Sequence, residues 1–83
     1  MSDVAERVAK VVVKVLKVPP ERIRPESRFA ADLGAESVQS VELVAAFEEE
    51  FDITMDEDEA LEVQTVGAAV EYIEKCIREQ HGS

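Results

Sequence analysis

Three stretches of this chain repeat their apolar residues at intervals of three and four, and no stretch alternates apolar with polar. Val4, Val8, Val11 and Val15 form the first such row, with Val12 and Leu16 widening it. Val41, Val44, Phe47 and Phe51 form the second, flanked by Val38 and Leu43, and Val66, Ala69, Val70, Ile73, Cys76 and Ile77 form the third. That period belongs to amphipathic helices, which must bury one face against one another. A strand through Val11, Val12 and Val13 stays open as a minor alternative, because β-branched residues favour strands.

The punctuation between the rows sets the element boundaries. Asp3 with Glu6 suits a helix start, and Pro19-Pro20 stops what begins there, so helix one spans residues 3 to about 17. Residues 18 to 36 hold three prolines and Gly34 and read as a long connection, anchored by Ile23, Phe29 and Leu33. The second helix runs from Ser37 to Phe51, a short acidic helix from about 56 to 62 with Ala60, Leu61 and Val63 turned inward, and a last helix from about 66 to 79 with Thr65 as its cap. Residues 80–83 are expected to fray. The fold expected is all-α: a small four-helix bundle of three long helices and one short, with a long loop between helices 1 and 2.

The chain of 83 residues makes one small domain, which buries about 60% of its unfolded surface on folding. A single cysteine excludes a disulfide framework and a four-thiolate zinc site, so stability rests on apolar packing and a reducing, cytoplasmic setting is expected. No run of residues is long and apolar enough for a membrane span, and Met1-Ser2-Asp3 is not the basic start of a secretory signal.

Charge removes another class of partner. The net charge is −10, which would repel nucleic acid. It is also uneven: residues 1–28 carry seven basic and four acidic side chains, residues 29–83 two basic and fifteen acidic. A partner that reads the second segment should therefore be basic. The basic row Arg7, Lys10, Lys14 and Lys17 reads as an exposed face that balances this acidity.

No set of residues assembles a catalytic site. The only histidine, His81, lies near the end of the chain and reads as an exposed tail residue. Cys76, between Ile73 and Ile77, reads as a small buried hydrophobe. The acidic run from Asp52 to Glu62 lacks the alternating ligands and sixth-position glycine of a calcium loop, so no metal site is expected. Ser37, at the junction of loop and second helix, has the ordinary reading of a helix N-cap, although Ser40 rather than Glu or Gln stands three residues on.

The neighbourhood of Ser37 adds a second reading. The run Phe29-Ala30-Ala31-Asp32-Leu33-Gly34-Ala35-Glu36-Ser37-Val38 closely resembles the acyl carrier protein signature Phe-x-x-Asp-Leu-Gly-Ala-Asp-Ser-Leu. The likeness continues through Val41-Glu42-Leu43 and Phe47-Glu48-Glu49-Glu50-Phe51-Asp52 to Thr65-Val66-Gly67 and Val70-Glu71-Tyr72-Ile73. It implies a carrier rather than an enzyme. Ser37 would receive a covalent 4'-phosphopantetheine arm from coenzyme A, through a Mg²⁺-dependent phosphopantetheinyl transferase, with Asp32, Leu33, Gly34, Glu36 and Val38 as the surrounding motif.

By the same resemblance, Gln39, Glu42, Glu48 and Glu49 form a docking face for basic patches on acyl-loading and acyl-using enzymes of fatty acid, lipid or polyketide biosynthesis. Val12, Leu43, Val44, Phe47, Met55, Ala60, Val63 and Ile73 are the candidate lining of an acyl pocket. Glu36 for Asp, Val38 for Leu and Gln39 at an often acidic position depart from the pattern, which points to a specialised rather than a housekeeping carrier. A monomer is expected. The alternative is an unmodified carrier-like interaction module, with Ser37 only a cap.

Overall fold

The computed structural model describes residues 3–82, so the expectations at Met1 and Ser2 and at Ser83 lie outside it. Four α-helices account for the architecture: α1 Asp3–Leu16, α2 Ser37–Phe51, α3 Glu57–Glu62 and α4 Val66–Gln80. A single 3₁₀ turn, Pro20–Arg22, interrupts the α1–α2 connection. Val11, Val12 and Val13 lie in mid-helix, so the strand alternative is set aside. Among the described residues, no helix is long and apolar enough to cross a membrane.

α1 packs against both α2 and α4. Val8, Val12 and Ile73 are wholly buried where these helices meet, and Leu43, Phe47, Phe51 and Cys76 close around them. Burial pushes the Cys76 thiol up, which leaves it a neutral apolar filler. α1 and α2 are antiparallel, for Arg7 near the start of α1 reaches Glu50 near the end of α2.

α1 ends at Leu16, one residue earlier than expected. Lys17 takes a left-handed conformation (φ 57°), and its N–H donates to the Val13 carbonyl at 2.8 Å. The chain has to turn away there because Val18 precedes a proline and is held extended.

The long connection is tied down rather than loose. Ser27 is a buried polar side chain whose Oγ accepts from the Arg24 N–H (3.0 Å) and donates to the Arg22 carbonyl (2.9 Å). Backbone bonds join the loop to the α3–α4 junction: Phe29 N–H to Gln64, Val66 N–H to Ser27, and Gly67 N–H to Pro25. A Cβ on Gly67 would lie 3.0 Å from the Pro25 carbonyl oxygen, so glycine permits this close approach. Thr65 caps α4 by accepting from the Ala68 N–H at 3.1 Å.

Three residues of the expected apolar faces turn outward, Val38 at 64% exposure among them. Val41 is 51% exposed and Leu61 47%. At 3.6 residues per turn, Val41 points about 120° away from Phe47, which with Leu43 and Phe51 defines the inner face of α2. α3 buries only Ala60, so Leu61, next in sequence, rotates toward solvent. The expected frayed tail is also corrected over its described part. Gln80 is the last helical residue, its side-chain amide donates to the Thr54 carbonyl (2.6 Å) and accepts from the Thr54 N–H (2.7 Å), and His81 Nε2 lies 2.7 Å from the Asp52 carbonyl oxygen.

Candidate functional site

The approach to α2 is built by a tight turn. Arg28 N–H donates to Asp32 Oδ2 at 2.7 Å, and the N–H groups of Asp32 and Leu33 both return to the Arg28 carbonyl. Leu33 is buried and pins the turn to the core. Gly34 then reverses the chain with φ 73°, a conformation that costs other residues about 1–2 kcal/mol. Ala35 N–H closes the turn on the Phe29 carbonyl, and Glu36 enters the helix from extended backbone (φ −87°, ψ 167°).

Glu36, not Ser37, is the N-cap. Its N–H donates to Gln39 Oε1 at 3.0 Å, and its carbonyl accepts from the Ser40 N–H at 2.9 Å. The cap expected at Ser37 therefore sits one residue earlier, and the glutamine that completes it is three residues from Glu36. Ser37 becomes the first helical residue. It is exposed, and its hydroxyl has no hydrogen-bond partner among the described residues. Such a group is available to a visiting catalyst, and the positive end of the α2 dipole favours a phosphate on it.

The expected docking residues divide into two kinds. Glu42 and Glu49 are exposed on α2, where Val38 adds an apolar spot at 64% exposure. Gln39 and Glu48 are half-buried and partly committed to the fold: Gln39 to the cap, Glu48 through Oε2, which accepts from the Met55 N–H at 2.8 Å.

A cleft of about 360 Å³ opens between α2, α3 and α4. Leu43, Val44, Phe47, Met55, Ala60 and Val63 line it, six of the eight residues expected. Val12 and Ile73 do not, because both are fully buried in the helix junction. The prediction omitted Ala30 and Ala31 from the loop and Ala69 and Tyr72 from α4. Phe29 also lines the cleft, and its role as a loop anchor was the available signal. Ser37, Ser40 and Val44 follow one another at intervals of three and four along one row of α2, and the last two face the cleft. The Ser37 position thus stands about 4.5 Å along the axis from Ser40 at the cleft.

Residues 6–73 match the family described as "Phosphopantetheine attachment site". The acyl carrier protein of Phenylobacterium zucineum (strain HLK1) is 52% identical over 75 residues, 90% of this chain and 95% of that one. The chain belongs to the acyl carrier protein family. The acyl carrier protein of Caulobacter vibrioides (strain NA1000 / CB15N) is likewise 52% identical, over 88% of this chain and 94% of that one. A solved structure described as an acyl carrier protein, from Mycobacterium tuberculosis, superposes with a TM-score of 0.81 over 87% of this chain and 96% of its own, at 24% identity.

Acyl carrier proteins are carriers, not enzymes, and their phosphopantetheine-binding domain bears a covalent 4'-phosphopantetheine. They interact with phosphopantetheinyl transferase and with acyl-handling enzymes. The free hydroxyl at the start of α2 fits such a phosphodiester, since neither the cap nor the core makes use of it. Among the described residues, no group of three or more His, Cys, Asp or Glu is placed to hold a metal ion.

Proposed function

We propose that Ser37 is the attachment point of the 4'-phosphopantetheine arm and that this chain carries acyl groups between enzymes of fatty acid, lipid or polyketide biosynthesis. The observation that carries this reading is the exposed, unpartnered Ser37 hydroxyl, freed because Glu36 and Gln39 perform the capping. Ser37 Oγ forms the new phosphorus–oxygen bond, the pyrophosphate linkage of coenzyme A breaks, and adenosine 3',5'-bisphosphate leaves. The serine proton passes to a base of the transferase, which also supplies Mg²⁺. The bound arm ends in a thiol that holds the acyl group as a thioester.

Leu43, Val44, Phe47, Met55, Ala60 and Val63 shelter the acyl chain from water in the cleft beneath α2. Glu42 and Glu49 attract partner enzymes with basic patches, and Val38, one turn before Glu42 on α2, adds an apolar contact. Exposed carboxylates give fast, salt-sensitive association, which suits a carrier that visits several enzymes in turn. The carrier acts as a cytoplasmic monomer. Glu36, Val38 and Gln39 depart from the common motif at the docking end of α2, which favours a specialised set of partners over the general fatty acid synthase.

Co-expression with a broad-specificity transferase, followed by intact-mass measurement, tests the assignment. The wild type should gain the mass of the arm and Ser37→Ala should not. A Ser37→Ala chain that still gains it moves the site elsewhere, and a wild type that never gains it favours an unmodified interaction module.

A further inference from the structure

The walls of the cleft differ in how they are held. α2 and α4 are long helices that contribute Phe47 and Ile73 to the core, whereas α3 has six residues and buries only Ala60. Too short to stand by its own hydrogen bonds, α3 depends on side chains from elsewhere. Glu48 and Gln80 hold Met55 and Thr54 in the preceding loop. Tyr72 holds α3 itself. Its hydroxyl accepts from the Asp56 N–H, at the α3 cap, and donates to Glu59 Oε1 one turn later, both at 3.1 Å. Of these three side chains only Tyr72 also lines the cleft.

We infer that Tyr72 sets the size of the acyl group this carrier encloses: its hydroxyl bridge ties α3 to α4 and closes the end of the cleft beside Met55. The inference rests on the cleft being the acyl site, as proposed above. The bridge lies far from the attachment end, because Met55 is bonded to Glu48, eleven residues or about 16 Å along α2 from Ser37. An acyl terminus that reaches Met55 therefore meets a wall that opens only when the tyrosine lets go. A phenol is protonated at neutral pH, so the Tyr72 hydroxyl has its proton to donate to Glu59, and desolvation pushes its pKa further up, to about 12.

The volume sets the class of cargo. About 360 Å³ holds about a dozen water-sized groups at about 30 Å³ each, and a methylene is of similar size. An octanoyl chain fits within a cleft of that volume, and a hexadecanoyl chain overruns it. Medium-length chains are thus the cargo that the bridge admits, and long ones require it to break.

Tyr72→Phe is the discriminating variant, since it removes the hydroxyl and keeps the ring in place. Amide hydrogen exchange on the unmodified protein reads the bridge without any cargo, and α3 amides should exchange about tenfold faster or more in the variant, which loses both hydrogen bonds of the bridge. Octanoyl and hexadecanoyl thioesters, installed from their coenzyme A esters by a broad-specificity transferase, then read the cleft through the rate of hydroxylamine cleavage. The wild type should protect octanoyl far better than hexadecanoyl, and Tyr72→Phe should narrow that difference severalfold. Unchanged exchange, or faster exchange with the chain-length ratio intact, overturns the inference while leaving Ser37 and the cleft as they stand. Equal cleavage of both thioesters in the wild type, at the rate of free acyl-pantetheine, removes the cleft as an acyl site and this inference with it.

Discussion

Arg7 Nε lies 2.7 Å from Glu50 Oε2, joining two residues 43 positions apart and clamping the start of α1 to the end of α2. The same guanidinium donates through Nη2 to the Glu50 carbonyl and stacks over the Phe51 ring, 4.5 Å from its centroid. It serves at once as ion pair, helix C-cap and lid on a core aromatic. Both partners are two-fifths exposed or more, so the ion pair itself contributes at most about 1 kcal/mol. Adding the carbonyl bond and the ring contact, Arg7→Ala should destabilise by about 1–2 kcal/mol. Arg7→Lys should recover only part of this, because an ammonium cannot do all three. Chemical denaturation of the three proteins checks the order.

Gly34 and Gly67 should respond to alanine for different reasons. At Gly34 there is open space for a Cβ, so the cost of Gly34→Ala is the left-handed backbone alone, about 1–2 kcal/mol. At Gly67 a Cβ meets the Pro25 carbonyl at 3.0 Å, and the loop that leads to the attachment turn has to shift. Gly67→Ala should therefore weaken the Gly67–Pro25 hydrogen bond, which amide exchange at residue 67 would reveal. Gly34→Ala should leave that amide unchanged.

The chain's single tyrosine makes its titration easy to follow. Burial, as the largest cause, pushes the Tyr72 pKa up to about 12, with the carboxylate of Glu59 adding to the rise and the Asp56 N–H opposing it. Between about 10, its ordinary value, and 12 the folded protein binds more protons than the unfolded one, so stability is full below 10 and falls as pH rises through 12. Absorbance of the phenolate should show the late ionisation, and Tyr72→Phe should remove this component of the alkaline stability loss.

Added salt should stabilise the fold. Fifteen acidic side chains against two basic ones in residues 29–83 repel one another, and screening shortens the range of that repulsion to about 8 Å at physiological ionic strength. Melting temperature should rise with NaCl at constant pH, and the Arg7→Ala protein should gain at least as much as the wild type. A melting temperature indifferent to salt would show that the acids are too far apart to matter.

The sequence by itself determined the helices. Rows of valine, leucine and phenylalanine at three- and four-residue spacing are local, so α2 is found at the expected residues 37–51 and α4 begins where Thr65 caps it. The motif around Ser37 was equally legible, since its glycine, buried leucine and turn-closing aspartate lie within a few positions of one another. Tertiary structure alone decided the rest. Val38 and Val41 became surface because the inner face of α2 follows Phe47, and the helix cap moved to Glu36 because the Gly34 turn leaves that residue extended. Gln80 and His81 became clasps on Thr54 and Asp52, and Tyr72 a bridge to α3, through contacts spanning 13 to 29 residues. Periodicity records which side of a helix is apolar. It carries no record of which distant backbone group a polar side chain will meet, and that depends on how the helices pack.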